Sequence, residues 1–169
     1  MRTKQKDRDV PGPGDAWNEI LPQLWMGGHY YNDGSEMQAA EIGDEFDLVV
    51  SLYVVPTLMP PPQVEHRILE IPDRPLNAPQ IAQVRELAVF TANAVRAGRT
   101  TLVRCHAGYN RSGLVVAQAM VEMGHDVDSA IALIRQRRSP WALHNATFEE
   151  YLRTGLEVAE LLSGLTEPA

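Results

Sequence analysis

From Asp15 onward, short apolar runs alternate with longer stretches in which apolar residues recur at the helical period. The first kind reads as strands and the second as amphipathic helices, a pattern that belongs to an α/β domain. Residues 17–20 and 24–26, separated by Leu-Pro-Gln, read as a small hairpin. Residues 35–46 read as a first helix. Residues 47–53 (DLVVSLY) are β-branched and read as a strand. The segment 56–62 holds four prolines and reads as a loop, and residues 65–71 (EHRILEI) alternate as a strand that Pro72 ends.

The helices further along carry their own punctuation. Pro79 suits a first turn, where its missing N–H costs nothing, and Ile81, Val84, Leu87, Ala88, Ala94 and Val95 follow on one face. Gly98 reads as a left-handed stop. Residues 100–104 (TTLVR) read as a short buried strand, and residues 112–123 are apolar nearly all round, as a central helix would be. Asp126 reads as the cap of a helix reaching Arg138, whose Arg135, Arg137 and Arg138 suit a C-terminal end. A last helix is expected from Asn145 or Thr147 to Leu162, with Thr147 and Glu150 spaced as a capping box.

Composition narrows the class. A chain of 169 residues with 44% hydrophobic and 22% charged residues suits one compact domain and is not disordered or fibrous. Residues 1–14 carry four basic and two acidic side chains and then Pro-Gly-Pro-Gly, so they are expected to form a flexible tail without the apolar stretch of a secretory signal. The expected division is a tail over 1–14, a catalytic domain over 15–163 and a second tail over 164–169. The net charge of −7 speaks against a nucleic-acid partner, and no apolar run reaches the ~18–20 residues of a membrane span. A lone cysteine excludes a disulfide framework and a cysteine zinc cluster, and fits the reducing cytoplasm. His, Asp and Glu spacing offers no metal site, no cofactor is expected, and the sequence sets no oligomeric state.

One segment carries chemistry: Arg104-Cys105-His106-Ala107-Gly108-Tyr109-Asn110-Arg111-Ser112-Gly113. It contains Cys-x5-Arg-Ser between a strand and a helix. Such a loop gathers backbone N–H groups, and the helix dipole adds partial positive charge, so a tetrahedral dianion fits there. Arg111 supplies a planar fork for two phosphate oxygens. The same field favours thiolate over thiol and makes Cys105 a nucleophile. Gly108 lets the backbone approach the anion, and Ser112 can donate to the sulfur when it departs. Residues 106–111 thus form the expected phosphate-binding loop. Arg96, Arg99, Arg104 and Arg111 stand in a stretch without acids, whereas residues 15–47 hold eight acids and no Lys or Arg. The expectation is a basic mouth in an acidic protein, the acidic stretch itself being a solvated face.

This segment resembles the signature loop of cysteine-dependent protein tyrosine phosphatases, most of all their dual-specificity branch. Leu24-Trp25-Met26-Gly27 is similar to that branch's early strand, His125 through Arg138 to its next helix, and Asn145 with Phe148 and Leu152 to its last, so the resemblance spans about residues 17–155. It implies a single α/β domain with a central, mostly parallel sheet of about five strands flanked by helices. It also implies a two-step mechanism: a thiolate attacks phosphorus, and an aspartic acid protonates the leaving oxygen and then activates water. In this branch the acid lies in the loop after the strand preceding the long helix, which here is Asp73. Topology agrees. The two strands of a β-α-β unit over 65–104 are parallel, so Asp73 and Cys105 emerge on the same sheet edge.

One departure stands out: Arg104 holds the position where the family has His. Its charge either helps keep Cys105 ionised or turns away into a salt bridge. Of the remaining candidates, His106 reads as an exposed loop position or a substrate contact, Tyr109 as pocket rim or packing, and Asn110 as a brace of the loop. His29, Tyr30 and Tyr31 read as surface packing or a recognition wall, and Trp141, beside His144, as packing. The resulting expectation is a phosphatase of phosphorylated proteins, phosphotyrosine first and phosphoserine or phosphothreonine second. Phosphoinositide, polyphosphate or RNA 5′-phosphate substrates are the alternative, weakened because no Lys or Arg stands between Cys105 and Arg111. Sulfur transfer would leave Asp73 without a task, arsenate reduction needs further cysteines, and a non-catalytic phosphate reader would not need all of Cys105, Arg111 and Asp73.

Overall fold

The computed structural model of the protein describes residues 10–166. Strands β1 (Trp17–Leu21), β2 (Leu24–Gly27), β5 (Leu48–Ser51), β6 (Glu65–Ile68) and β7 (Thr101–Arg104) form one sheet, ordered β1-β2-β7-β5-β6. β1 and β2 are the expected antiparallel hairpin, and every other pairing is parallel. Helix α1 (Ala78–Arg96) carries the chain from β6 across to β7, with β5 between them. Parallel strands end on a common edge, so the segments after β2, β5, β6 and β7 converge there.

Helix α2 (Arg111–Glu122) runs through the middle of the molecule, with Leu114, Val115, Val116 and Met120 fully buried against β2, β7 and α1. Each such side chain contributes about 1.5–3 kcal/mol on burial. Its apolar circumference in the sequence therefore has a simple cause: from Ser112 to Met120 no face meets water. Helices α3 (Val127–Arg137), α4 (Ala146–Thr154) and α5 (Leu156–Thr166) complete the outer layer. Asn77 caps α1 through a capping box with Gln80, Asp126 caps α3 through Ser129 N, and Gly98 takes φ +80 after α1.

Four expectations need correction. Residues 35–46 are not a helix: β3 (Tyr30–Asn32) and β4 (Met37–Ala39) form a second small hairpin there. Asp33 Oδ1 accepts from Ser35 N and Glu36 N, and Gly34 turns at φ +102, so the local side-chain bonds close a turn that competes with helix initiation. The last helix is two, because Gly155 at φ +96 interrupts it, and its cap is Asn145, which accepts from Phe148 N, rather than a box at Thr147. The expected tails carry structure where they are described. Residues 1–9 and 167–169 lie outside the described residues, but 164–166 are helical, and the Pro11 and Pro13 carbonyls are held by hydrogen bonds. Trp141 is exposed rather than packed.

Candidate active site

Cys105 follows β7 directly and is buried, its Sγ 3.3 Å from Ser112 Oγ in the first turn of α2. Between them the chain makes a loop whose carbonyls are all spoken for. Cys105 O accepts from His29 Nδ1 at 2.8 Å and His106 O from His29 N at 2.9 Å. The Arg138 guanidinium donates to Ala107 O at 3.0 Å and Gly108 O at 3.2 Å, while Tyr109 O accepts from Leu143 N. The N–H groups behave oppositely: among the described residues, none of those from 106 to 110 donates to a protein acceptor. A peptide unit holds its C=O and N–H on opposite sides, so anchoring the carbonyls in the framework turns the donors the other way. Gly108 sits at φ +80, where a Cβ would meet Gly27 C at 2.5 Å and Arg138 Nη2 at 2.6 Å. No other residue fits.

The charge around this loop differs from the expected basic mouth. Arg99 precedes β7 and Arg96 ends α1, so both lie at the opposite end of the strand from Cys105; Arg96 donates to Glu122 O and Arg99 pairs with Glu65. A stretch of sequence that crosses a strand divides its charges between two edges. The cations at the site are Arg111, Arg104 and Arg138, and none of them has a carboxylate within ion-pairing distance among the described residues. Arg111 Nη1 donates to Ile71 O at 3.4 Å, its guanidinium lies 5.1 Å from the Tyr53 ring centroid, and its buried Nε has no partner. The eight acids of residues 15–47 are all exposed, as expected of a solvated face.

Arg104 turns away from the pocket, but not into a salt bridge. It is fully buried, donating from Nε to Ser51 Oγ and from Nη2 to Leu58 O, both at 2.9 Å. Burial lowers it to about 10, which still leaves it charged at neutral pH. Ser51 Oγ in turn contacts His66 Nε2 at 2.8 Å, and burial followed by the charge of Arg104 holds His66 below its ordinary value. A neutral His66 accepts the Ser51 proton while Ser51 accepts from Arg104, so the chain of donors runs one way.

Asp73 lies in the segment after β6 and its carboxylate is held at both oxygens. Asn110 Nδ2 donates to Oδ2 at 3.0 Å and Asn145 Nδ2 to Oδ1 at 2.8 Å, while Asn110 Oδ1 accepts from Asn145 N. His144 Nε2 lies 3.1 Å from the same Asn110 amide. The structure thus brings Asp73, Cys105, Arg111 and Asn110 to one pocket of about 340 Å³. His106 is exposed on its rim, with its ring against Tyr30 and Tyr53, and Tyr109 is buried, its hydroxyl donating to Pro11 O at 2.7 Å.

Three participants escaped sequence reading. Arg138 was legible only as a favourable helix end, Asn145 only as a cap, and His29 only as a surface residue. His29 is fully buried, and its Nδ1 must carry the proton because a carbonyl can only accept. Burial, reinforced by the charge of Arg104, pushes its pKa down to about 4 from 6.5. The folded protein keeps the ring neutral where the unfolded chain protonates it. This contribution to stability is complete above pH 6.5 and is lost as pH falls from there toward 4, by up to about 3 kcal/mol. Urea unfolding midpoints should therefore drop more between about pH 7 and 4.5 in wild type than in His29→Asn, whose amide can still donate to Cys105 O. Equal drops would place the pH sensitivity elsewhere.

The family model for the dual specificity phosphatase catalytic domain matches residues 31–155, and the chain belongs to that family. It is a protein-phosphatase domain, and the family's substrates are phosphorylated. Solved structures share the fold. Human DUSP28 is 23% identical with a TM-score of 0.68, over 88% of this chain and 96% of its own. A mouse putative dual specificity phosphatase complexed with zinc tungstate is 22% identical with a TM-score of 0.63, over 92% and 93%. Tk-PTP in its active form is 24% identical with a TM-score of 0.60, over 84% and 97%. No curated protein matches this sequence. No helix among the described residues is long and apolar enough to cross a membrane.

Proposed function

We propose that this domain hydrolyses phosphate monoesters on phosphoproteins through a phosphocysteine intermediate, phosphotyrosine first and phosphoserine or phosphothreonine second. The observation that carries the reading is the run of backbone N–H groups from 106 to 110 without acceptors among the described residues, strung between the Cys105 thiol and the Arg111 guanidinium. Donors of this kind, fixed before the substrate arrives, stabilise the charge of a transferring phosphoryl group without reorganisation. The mouse neighbour's tungstate, a tetrahedral dianion like phosphate, fits the same idea.

In the first step Cys105 Sγ attacks phosphorus, the ester P–O bond breaks, and Asp73 gives its proton to the leaving oxygen. In the second, Asp73 takes a proton from water, the water oxygen bonds to phosphorus, and the S–P bond breaks. Ser112 Oγ, 3.3 Å from the sulfur, donates to it as it leaves as thiolate. Absence of Lys and Arg between Cys105 and Arg111 favours protein substrates over polyanionic ones.

The test is to catch the intermediate. Ser112→Ala slows only the departure of the sulfur, so mixing it with an aryl phosphate and chelator should release one equivalent of phenol in a burst. Acid quench and mass spectrometry should then find one phosphoryl group on the peptide containing Cys105. Steady turnover with no burst and no adduct would overturn the mechanism.

A further inference from the structure

We propose that residues 10–13 form a substrate-selecting strap that completes one wall of the pocket and makes it hold an aryl phosphate in preference to a short alkyl phosphate. The inference rests on the phosphatase reading of the site and names its preferred substrate class. Val10, Pro11 and Pro13 line the same pocket as Cys105 and Arg111, far along the chain from both. The segment is pinned at two points: Tyr109 Oη donates to Pro11 O at 2.7 Å, and Asn32 N to Pro13 O at 2.8 Å. Tyr109 belongs to the phosphate loop itself, so the wall is tied to the floor. The strap lies outside the stretch matched by the family model, which begins at residue 31.

Its chemistry is apolar by construction. Proline at 11 and 13 removes two N–H groups and fixes φ, so the wall presents ring methylenes in a stiff backbone. Of the polar side chains that line the pocket, which also include Tyr30, His106, Tyr109 and His144, those that address the phosphate are Cys105, Asp73, Asn110 and Arg111. A phosphate seated among them leaves a serine or threonine ester with too short a stem to cover the walls. The ring of a phosphotyrosine extends into the remaining space and removes apolar surface from water on both partners.

Two anions separate wall from floor. Phenylphosphonate, which is not hydrolysed, tests both, and orthophosphate tests the floor alone. Calorimetric titration should find phenylphosphonate about tenfold weaker in the triple variant Val10→Gly, Pro11→Gly, Pro13→Gly, with orthophosphate affinity unchanged; tenfold corresponds to about 1.4 kcal/mol. No charge changes in this variant, and the anchoring carbonyls remain. Should loss of buried Pro13 disturb folding, the Val10→Gly, Pro11→Gly pair keeps the second anchor and should act in the same direction. In turnover, kcat/KM for a phosphotyrosine peptide over a phosphoserine peptide should fall, through KM. Parallel weakening of both anions would make the segment a mere support of the loop, and no weakening of either would mean that it touches no substrate; each result overturns the strap. A wild-type protein that prefers phenylphosphonate through the strap yet turns over no ester would instead overturn the phosphatase reading and leave the strap standing.

Discussion

Cys105→Ser should lower turnover of phenyl phosphate by about 10⁴- to 10⁶-fold while leaving orthophosphate binding within a few-fold of wild type. The two halves of the expectation have separate causes. Covalent catalysis needs the sulfur, because a hydroxyl in the same place has no base hydrogen-bonded to it to remove its proton: the side chain that Cys105 Sγ meets at 3.3 Å is Ser112 Oγ, itself a hydroxyl. Binding needs the cradle, and the cradle does not depend on the sulfur. Its carbonyls are held by His29, Arg138 and Leu143, all outside the loop. Steady-state assays with chelator, paired with calorimetry, check both. Full activity in Cys105→Ser would eliminate the mechanism, and lost phosphate affinity would mean that the thiol organises the loop.

Asp73→Asn should lower kcat by about 10²–10⁴ on esters with poor leaving groups and much less on p-nitrophenyl phosphate. A phenol or serine oxygen leaves only with a proton, whereas nitrophenolate departs without one. The substitution also disturbs position. Asp73 accepts from Asn110 at one oxygen and Asn145 at the other, and a carboxamide has one acceptor and one donor. One of those two bonds must become a donor facing a donor, so a small loss on every substrate is expected beside the large, leaving-group-dependent one. Equal losses across the leaving-group series would assign Asp73 to positioning alone.

Both predictions rest on residues that sequence reading could select. Cys105, Arg111 and Ser112 are close in the chain, and their spacing alone places them across a strand-to-helix loop. Asp73 was reachable because a β-α-β unit sends both its strands to the same edge, a rule that holds even with β5 lying between β6 and β7. The misreadings have the opposite character. Residues 35–46 carry residues that tolerate a helix, and only pairing with Tyr30–Asn32 and the Asp33 turn made them strand and loop. Arg96 and Arg99 neighbour Arg104 in sequence, yet the length of β7 separates them from the pocket.

The sequence by itself determined the alternation of strands and helices, the buried character of α2, and the cysteine, arginine and serine set within one loop. These are local properties, set by periodicity, by glycine at Gly108 and by the reach of a few residues. Only the tertiary structure decided what holds that loop open. His29 comes from the end of β2, Arg138 from the end of α3, Asn145 from the cap of α4 and the strap from the far N-terminal side. Each acts through a hydrogen bond or contact between segments distant in the chain. No local pattern encodes such a partner, because the same arginine or asparagine satisfies helix-end chemistry equally well with water.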